Sequence, residues 1–270
     1  MMVHRLSLLL LVVLEAIIIF FLYEEREDKE HYLAEKTLAY LSSSYNAALQ
    51  SRDLSIRLTT HTAVLRSDAL SAFATGVWAT SDVREQADSR ARLYRLLEPS
   101  YLQLKNDQVL QFDFHTKEGV SFLRFQDSDI FGDDLTQSRP AIKKISTISN
   151  PIHGFEVGSS SVGFHFIYPI YLGTQRLGSF EIADSPKTIL NLMKHQSENE
   201  SHFLFVNRSF IGQVKPEYHS RFQTTLLNDA YMMMVDDQEA QETLNAVSNQ
   251  LKKKKNKVPI LGIRRGFFNF

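Results

Sequence analysis

The 270-residue chain carries 30 Lys and Arg against 31 Asp and Glu, a balance that excludes the basic surplus of a nucleic-acid binder. With 43% hydrophobic and 11% aromatic residues it can bury a core and is not disordered by composition; its length allows one large or two small domains. Cys is absent, so disulfides, thiol chemistry and cysteine metal sites are excluded.

Residues 6–22 are apolar apart from Ser7 and Glu15, long enough at about 1.5 Å per residue nearly to span a bilayer core. No small-residue cleavage site follows the run, so an uncleaved membrane anchor is expected over residues 1–23. Arg5 precedes it, and Glu24, Glu25, Arg26, Glu27 and Asp28 follow. That asymmetry predicts a single-pass protein of the inner (cytoplasmic) membrane, with everything after about residue 23 periplasmic. Glu15 reads either as a contact between anchors in a dimer or as a tolerated lone carboxyl.

Residues 24–74 contain no Gly or Pro. Apolar side chains recur in steps of three and four, from Leu33 through Leu41, Leu58 and Val64 to Phe73, which predicts a long amphipathic helix. A helix this long needs a packing partner, either a second copy in a dimer or its own domain. Gly76 and Thr80-Ser81-Asp82 break it. Asp82 with Glu85 is a capping-box-like start for a second helix to Leu97, ended by Pro99, so residues 24–98 form a helical stalk.

The period then changes from 3.6 to 2. Residues 109–115 alternate Leu110, Phe112 and Phe114 with Gln111, Asp113 and His115. Lys117-Glu118-Gly119 turns the chain into a second strand over residues 120–126, giving an antiparallel hairpin. After an Asp-rich loop come a short helix over 141–145 and three short strands at 154–158, 163–168 and 177–182, with turns at Gly158 and Gly173. Five antiparallel strands with helices on one side make a PAS-like α+β module over residues 99–184.

Ser185-Pro186 opens a connecting helix to about His195. A second hairpin follows at 201–207 and 210–214, then a helix capped by Asp236 or Asp237 and running to about Leu251, and a strand at 258–263. Residues 185–270 thus begin a second PAS-like module without finishing it. The basic tail from Leu251 reads as a solvated end or a contact to anionic lipid. No second hydrophobic span and no output domain follow, so the chain reads as a truncated receptor or an orphan sensor half.

Several separated motifs resemble the membrane-distal half of double Cache (dCache_3-like) extracytoplasmic sensor domains of bacterial diguanylate cyclases, histidine kinases and chemoreceptors. They are Leu110-Gln111-Phe112-Asp113-Phe114-His115, Ser121-Phe122-Leu123-Arg124-Phe125, Phe131-Gly132-Asp133-Asp134-Leu135, Arg139, Gly154-Phe155-Glu156, Gly163-Phe164, Tyr168-Pro169 and Gly178-Ser179-Phe180-Glu181. The resemblance implies a ligand pocket between the sheet and its covering loop and helix, lined by His115, Arg124, Phe125, Asp133, Asp134, Arg139, Glu156, Phe164 and Tyr168. Arg124 and Arg139 would hold a carboxylate, and Asp133, Asp134 and Glu156 an amine. Equally, Arg139 pairs internally with Asp133 or Asp134, and Arg124 with Glu156. The sequence departs from the family pattern at Asp113 and Gln126, where the pattern has His, and at His165, where it has Arg.

Catalytic motifs are not found. Gly158 to Gly163 reads GSSSVG, which lacks nucleophile-elbow spacing; Gly173 to Gly178 is not followed by Lys and Ser or Thr. His115, His153 and His165 lack metal-ligand spacing. The expectation is therefore no catalytic residue, no metal and no cofactor. The partners expected are a small polar ligand (an amino acid, amine or organic acid), the membrane, and a second copy or partner receptor. The alternative is a non-binding receptor remnant acting as a dimerisation protein.

Overall fold

The computed structural model describes residues 2–157, 162–194, 202–214, 216–224 and 230–234, with 242, 245 and 246; for residues 2–9, 213, 217 and 218 it describes the backbone alone. Two compact units divide the chain, Met1–Asn46 in one and Ala47–Lys255 in the other. The first is the greater part of helix α1 (Met2–Ile56). Leu10 to Tyr23 lie exposed on it, and its next turns carry the i,i+4 pairs Lys29–Glu25 and Arg26–Glu30. Among the described residues no helix is long and apolar enough to cross a membrane; the side chains of residues 6–9, with which the expected anchor begins, lie outside them.

The stalk is not one helix to Phe73. It loosens into a π-turn at Arg57–His61, resumes as α2 (Thr62–Val64), breaks at Leu65 and Arg66, and restarts as α3 (Ser67–Trp78). Neither Gly nor Pro is the cause. The hydroxyls of Thr59 and Thr60 bond back to the carbonyls of Ser55 and Ile56, competing with the helical ladder. Asp68 then takes the Ala69 N–H, and Arg66 swings to an extended backbone. Helix α4 (Val83–Asn106) starts as expected, with the Asp82 carboxylate accepting from the Arg84 and Glu85 N–H groups. It does not stop at Pro99. Burial of Tyr101 and Leu104 beyond the proline is worth about 1.5–3 kcal/mol per large apolar side chain, enough to offset the lost bond.

Strands β1 (Val109–Thr116), β2 (Ser121–Arg124), β3 (Ile152–Val157), β4 (Val162–Leu172) and β5 (Gln175–Asp184) form one antiparallel sheet in the order β2-β1-β5-β4-β3. This is the PAS-like α+β arrangement. Phe112, Phe114, Phe122 and Phe180 face the helices, where Phe73 meets Phe114 at 5.4 Å and Phe122 at 5.2 Å between ring centroids. Gly178 lets β1 and β5 close up, since a Cβ there would lie 2.0 Å from the His115 carbonyl oxygen.

Helices do not keep to one side. The short α5 (Pro140–Ile145) lies on the opposite face, where Ala141, Ile142 and Ile145 pack with Leu135, Ile152 and Ile167. Its position follows from sheet register: Ile167 pairs with Glu181 and Ile152 with Ile167, so the apolar end of this face needs a lid while its other end is polar.

After α6 (Pro186–Lys194) a second sheet is built from β6 (Phe205–Asn207), β7 (Phe222–Thr224) and β8 (Tyr231–Met234), in the order β6-β8-β7. The strand expected at 210–214 is instead a 3₁₀ turn, Arg208–Gln213. The Asn207 side chain accepts from the Ser209 N–H and starts that turn, leaving Ile211 and Val214 to pack with Phe222 and Met234. The turn at Gly158, the strand at 258–263 and the basic tail lie outside the described residues, as does the helix expected from Asp236 or Asp237 apart from 242, 245 and 246, which are helical.

Candidate functional site

On β1 the period-2 alternation that turns Phe112 and Phe114 toward the helices turns Asp113 and His115 the other way. Register carries the rule across the sheet. Asp113 pairs with Arg124 on β2 and with Glu181 on β5, His165 on β4 pairs with Gly154, and Glu156 on β3 with Gly163. The polar face thus gathers Asp113, His115, Glu181, His165 and Glu156, each at most 3% exposed. The loop through Asp133 and the start of α5 cover it.

Arg139, the residue that caps α5, reaches into this face. Its Nη2 donates to Glu156 Oε2 at 2.7 Å and to Glu181 Oε1 at 2.6 Å, with His165 Nδ1 at 3.2 Å. Burial works against the Arg139 charge, but Glu181 and Glu156 outweigh it and hold the proton more tightly than usual. Burial likewise raises the Glu181 carboxyl, and Arg139 and His165 overcome it, leaving that group well below the usual carboxylate range. Arg124 donates to Asp133 Oδ2 at 2.8 Å and to the Ile130 carbonyl at 3.0 Å, which lowers the Asp133 carboxyl. Both arginines are therefore paired internally, with partners exchanged relative to expectation: Arg139 with Glu156 and Glu181, Arg124 with Asp133. The edge position of β2 beside the loop puts Arg124 near Asp133, whereas Arg139 enters over β3, β4 and β5.

Asp113 accepts the Gln126 amide at 2.7 Å; burial, then the neighbouring Glu181 charge, push it up to about 7. His115 is pushed down to about 4 by burial against the pull of Glu181. Four buried atoms of this face, His115 Nε2, His165 Nε2, Ser121 Oγ and Arg139 Nε, have no hydrogen-bond partner among the described residues, an uncommon and costly condition for buried polar groups. Asp113, Gln126 and His165, expected from the resemblance to be departures from its pattern, all belong to this cluster.

Of the residues expected to line a pocket, the structure brings together His115, Arg124, Asp133, Arg139 and Glu156. It does not bring the others to them. Phe125 stacks on Phe112 at 4.6 Å and on Tyr94 at 5.0 Å, within the helix-side core. Phe164 and Tyr168 share the parity of Phe166, opposite to His165; Tyr168 stacks on Phe180 and donates to Asp53 Oδ1 at 2.7 Å. Asp134 is exposed and accepts from the Thr136 N–H and hydroxyl. Adjacent residues on an extended backbone point apart, so Asp133 facing Arg124 sends Asp134 outward. His153 also lies on the helix side, against Phe166, and the three histidines do not converge. Sequence reasoning named Asp113 and His165 only as departures from the expected pattern and missed Glu181 as a member of the cluster; its signal was the apolar–polar alternation of β1, β4 and β5, combined with register.

The profile of the dCache_3 family, described as a double sensory domain of two-component sensor kinase, matches residues 45–254. None of the curated proteins matches. Among solved structures, the chain is similar to the sensor domain of the Vibrio cholerae histidine kinase DctB, at 12% identity and a TM-score of 0.43 over 67% of this chain and 65% of that one. It is also similar to the ligand-binding domain of the Campylobacter jejuni chemoreceptor Tlp3 in complex with 4-methylisoleucine, at 9% identity and 0.42 over 67% and 68%. The periplasmic domain of Vibrio cholerae LuxQ aligns at 10% identity and 0.40 over 64% and 74%. The family is described as sensory. With most of its length matched, the chain belongs to the dCache_3 family of double sensory domains.

Proposed function

We propose that the chain is the extracytoplasmic input domain of a bacterial transmembrane receptor and binds a small polar molecule on the polar face of its larger sheet. Residues 99–184 form the binding module and 185–270 the start of a membrane-proximal one. The observation that supports this reading is the set of buried, unpartnered polar atoms on that face, beneath a loop and a short helix, in a chain whose family is sensory. The apolar run over 6–22 serves as the anchor, and the stalk helix as the contact to a second copy or a partner receptor.

Transmission would use the same strands. β5 carries Glu181 on the polar face and Asp184 on the other, where Asp184 accepts from Arg52 of α1 at 2.6 and 2.8 Å. β4 carries His165 on the polar face and Tyr168 on the other, bonded to the next residue of α1, Asp53. A ligand that shifts either strand acts directly on α1. Internal pairing of Arg139 and Arg124 favours the second reading, a non-binding remnant that dimerises.

A thermal-shift screen of the full chain in detergent against amino acids, amines and organic acids separates the two. A ligand at a hundred times its Kd stabilises by about 2.7 kcal/mol. No stabilising compound at millimolar concentration would leave the remnant reading in possession.

A further inference from the structure

Two groups of buried side chains on the polar face have the donor atoms of a cation site, Glu156–His165–Glu181 and Asp113–His115–Glu181, each with its atoms within 4.8 Å of one another. They differ in one respect. The centre of the first is filled: the Arg139 Nη2 lies 2.7, 3.2 and 2.6 Å from its three members. Among the described residues no Lys or Arg bonds Asp113 or His115, and Arg139 touches the second group only at Glu181, its Nη1 lying 3.3 Å from Oε2. We infer that Asp113, His115 and Glu181 form a binding site for a first-row divalent metal ion of the zinc type.

Charge supports the distinction. On this face Arg124 is matched by Asp133 and Arg139 by Glu156. Arg139 also touches Glu181, but a single guanidinium charge cannot balance both glutamates. With Asp113 ionised, the four carboxylates of the face (Asp113, Asp133, Glu156 and Glu181) exceed its two guanidiniums by two charges, and a doubly charged cation that displaces the Asp113 proton balances the excess. Lone-pair geometry supports it independently. His115 is fully buried, its Nδ1 lies 3.5 Å from the Ser179 hydroxyl, and its Nε2 has no hydrogen-bond partner among the described residues. With the ring proton on Nδ1, the Nε2 lone pair faces Glu181 Oε2 at 3.5 Å. In that tautomer both atoms present lone pairs that one metal ion can take as ligands. Ser179 and Gln126 would act as the outer partners that fix the imidazole and carboxylate ligands.

The donor set selects the ion. One imidazole and two carboxylates suit zinc and its first-row neighbours, whereas calcium and magnesium take all-oxygen sites. Three protein ligands from two adjacent strands leave a coordination position open. The inference rests on this cluster alone and goes beyond the small-molecule reading, since the metal site stands whether or not an organic ligand binds.

The test is calorimetric titration of Zn²⁺ into the EDTA-treated full chain in detergent. The expected result is one equivalent bound with a rise in Tm, and a smaller response to Ca²⁺ and Mg²⁺. His115→Gln and Asp113→Asn are expected to weaken uptake at least about 10-fold, the loss typical even of partners outside the ligand shell. His153→Gln, on the opposite face, is expected to leave it unchanged. Should the site variants fail to fold, Co²⁺ loading of the unaltered chain gives visible d–d absorption from bound metal. No Zn²⁺ uptake, equal uptake by His115→Gln, an equal response to Ca²⁺, or absent Co²⁺ bands would each overturn the assignment. Zn²⁺ uptake with no organic hit in the thermal-shift screen would uphold it while refuting the small-molecule reading.

Discussion

Arg52 of α1 and Asp184 at the end of β5, 132 positions apart, form a buried two-pronged ion pair, Nε to Oδ2 at 2.6 Å and Nη2 to Oδ1 at 2.8 Å. Asp184 is fully buried and Arg52 nearly so. Removing one partner strands the other. Arg52→Ala is expected to destabilise by about 3–5 kcal/mol in urea denaturation at pH 8. Burial already holds the Asp184 carboxyl above its usual value despite Arg52. Without the guanidinium it rises further, so in acid it protonates and sheds the unpaired charge. The deficit of Arg52→Ala should therefore shrink between pH 8 and pH 4; a deficit constant with pH would contradict the pairing.

Asp113 sets a second pH dependence, measured with EDTA present. Its native pKa of about 7, against an ordinary 3.8, means that the folded state keeps a proton the unfolded chain gives up. The associated stability is complete below about pH 4 and is lost as pH climbs through 7. Asp113→Asn keeps an acceptor for Gln126 and removes the repulsion with Glu181. It should be more stable than the native chain at pH 8 and lose this segment of the pH profile, as read by denaturation midpoints at half-unit intervals. A variant less stable at pH 8 would argue against the buried carboxylate pair.

Gly178 is a packing position. A methyl group there meets the His115 carbonyl oxygen at 2.0 Å, and neither backbone can yield without opening the β1–β5 ladder. Gly178→Ala is expected to cost about 3 kcal/mol or more, whereas Gly212→Ala, with nothing within 4 Å of the added carbon, should cost far less. Equal midpoints for the two variants would rule out the close approach.

Tyr168→Phe removes the hydroxyl that donates to Asp53, while Asp53 keeps Arg57 at 2.9 Å. The expected loss is about 1 kcal/mol. Because the ring belongs to the helix side, ligand uptake on the polar face should be unaffected.

Much of this fold can be read from residue pattern. The change from 3.6 to 2 periodicity places β1 after the helices, Asp82 marks the start of α4, and Ser185-Pro186 the start of α6. The sequence is less explicit where long-range packing decides. Thr59 and Thr60 loosen the stalk through bonds that propensity alone does not reveal, and burial of Tyr101 carries α4 through a proline. The Met-rich run of β8 lacks the β-branched signature of a strand. For the site, alternation along β4 shows that Phe164 and Tyr168 share a face and His165 has the other, but which face meets the loop depends on pairing with β5. That is why Phe125, Phe164 and Tyr168 were expected in the lining beside the charged residues and are found on the other face: Glu181 becomes a site residue only once Asp113 is seen opposite it.

The most direct measurement of the sensing account is calorimetric titration of the strongest stabilising compound into the unaltered chain, Glu181→Gln and Tyr168→Phe. The account predicts saturable uptake by the unaltered chain and by Tyr168→Phe, with uptake at least about tenfold weaker in Glu181→Gln, roughly the 1.4 kcal/mol of one charge-assisted bond. Heat absent from the unaltered chain, or uptake abolished by Tyr168→Phe and retained by Glu181→Gln, would contradict it.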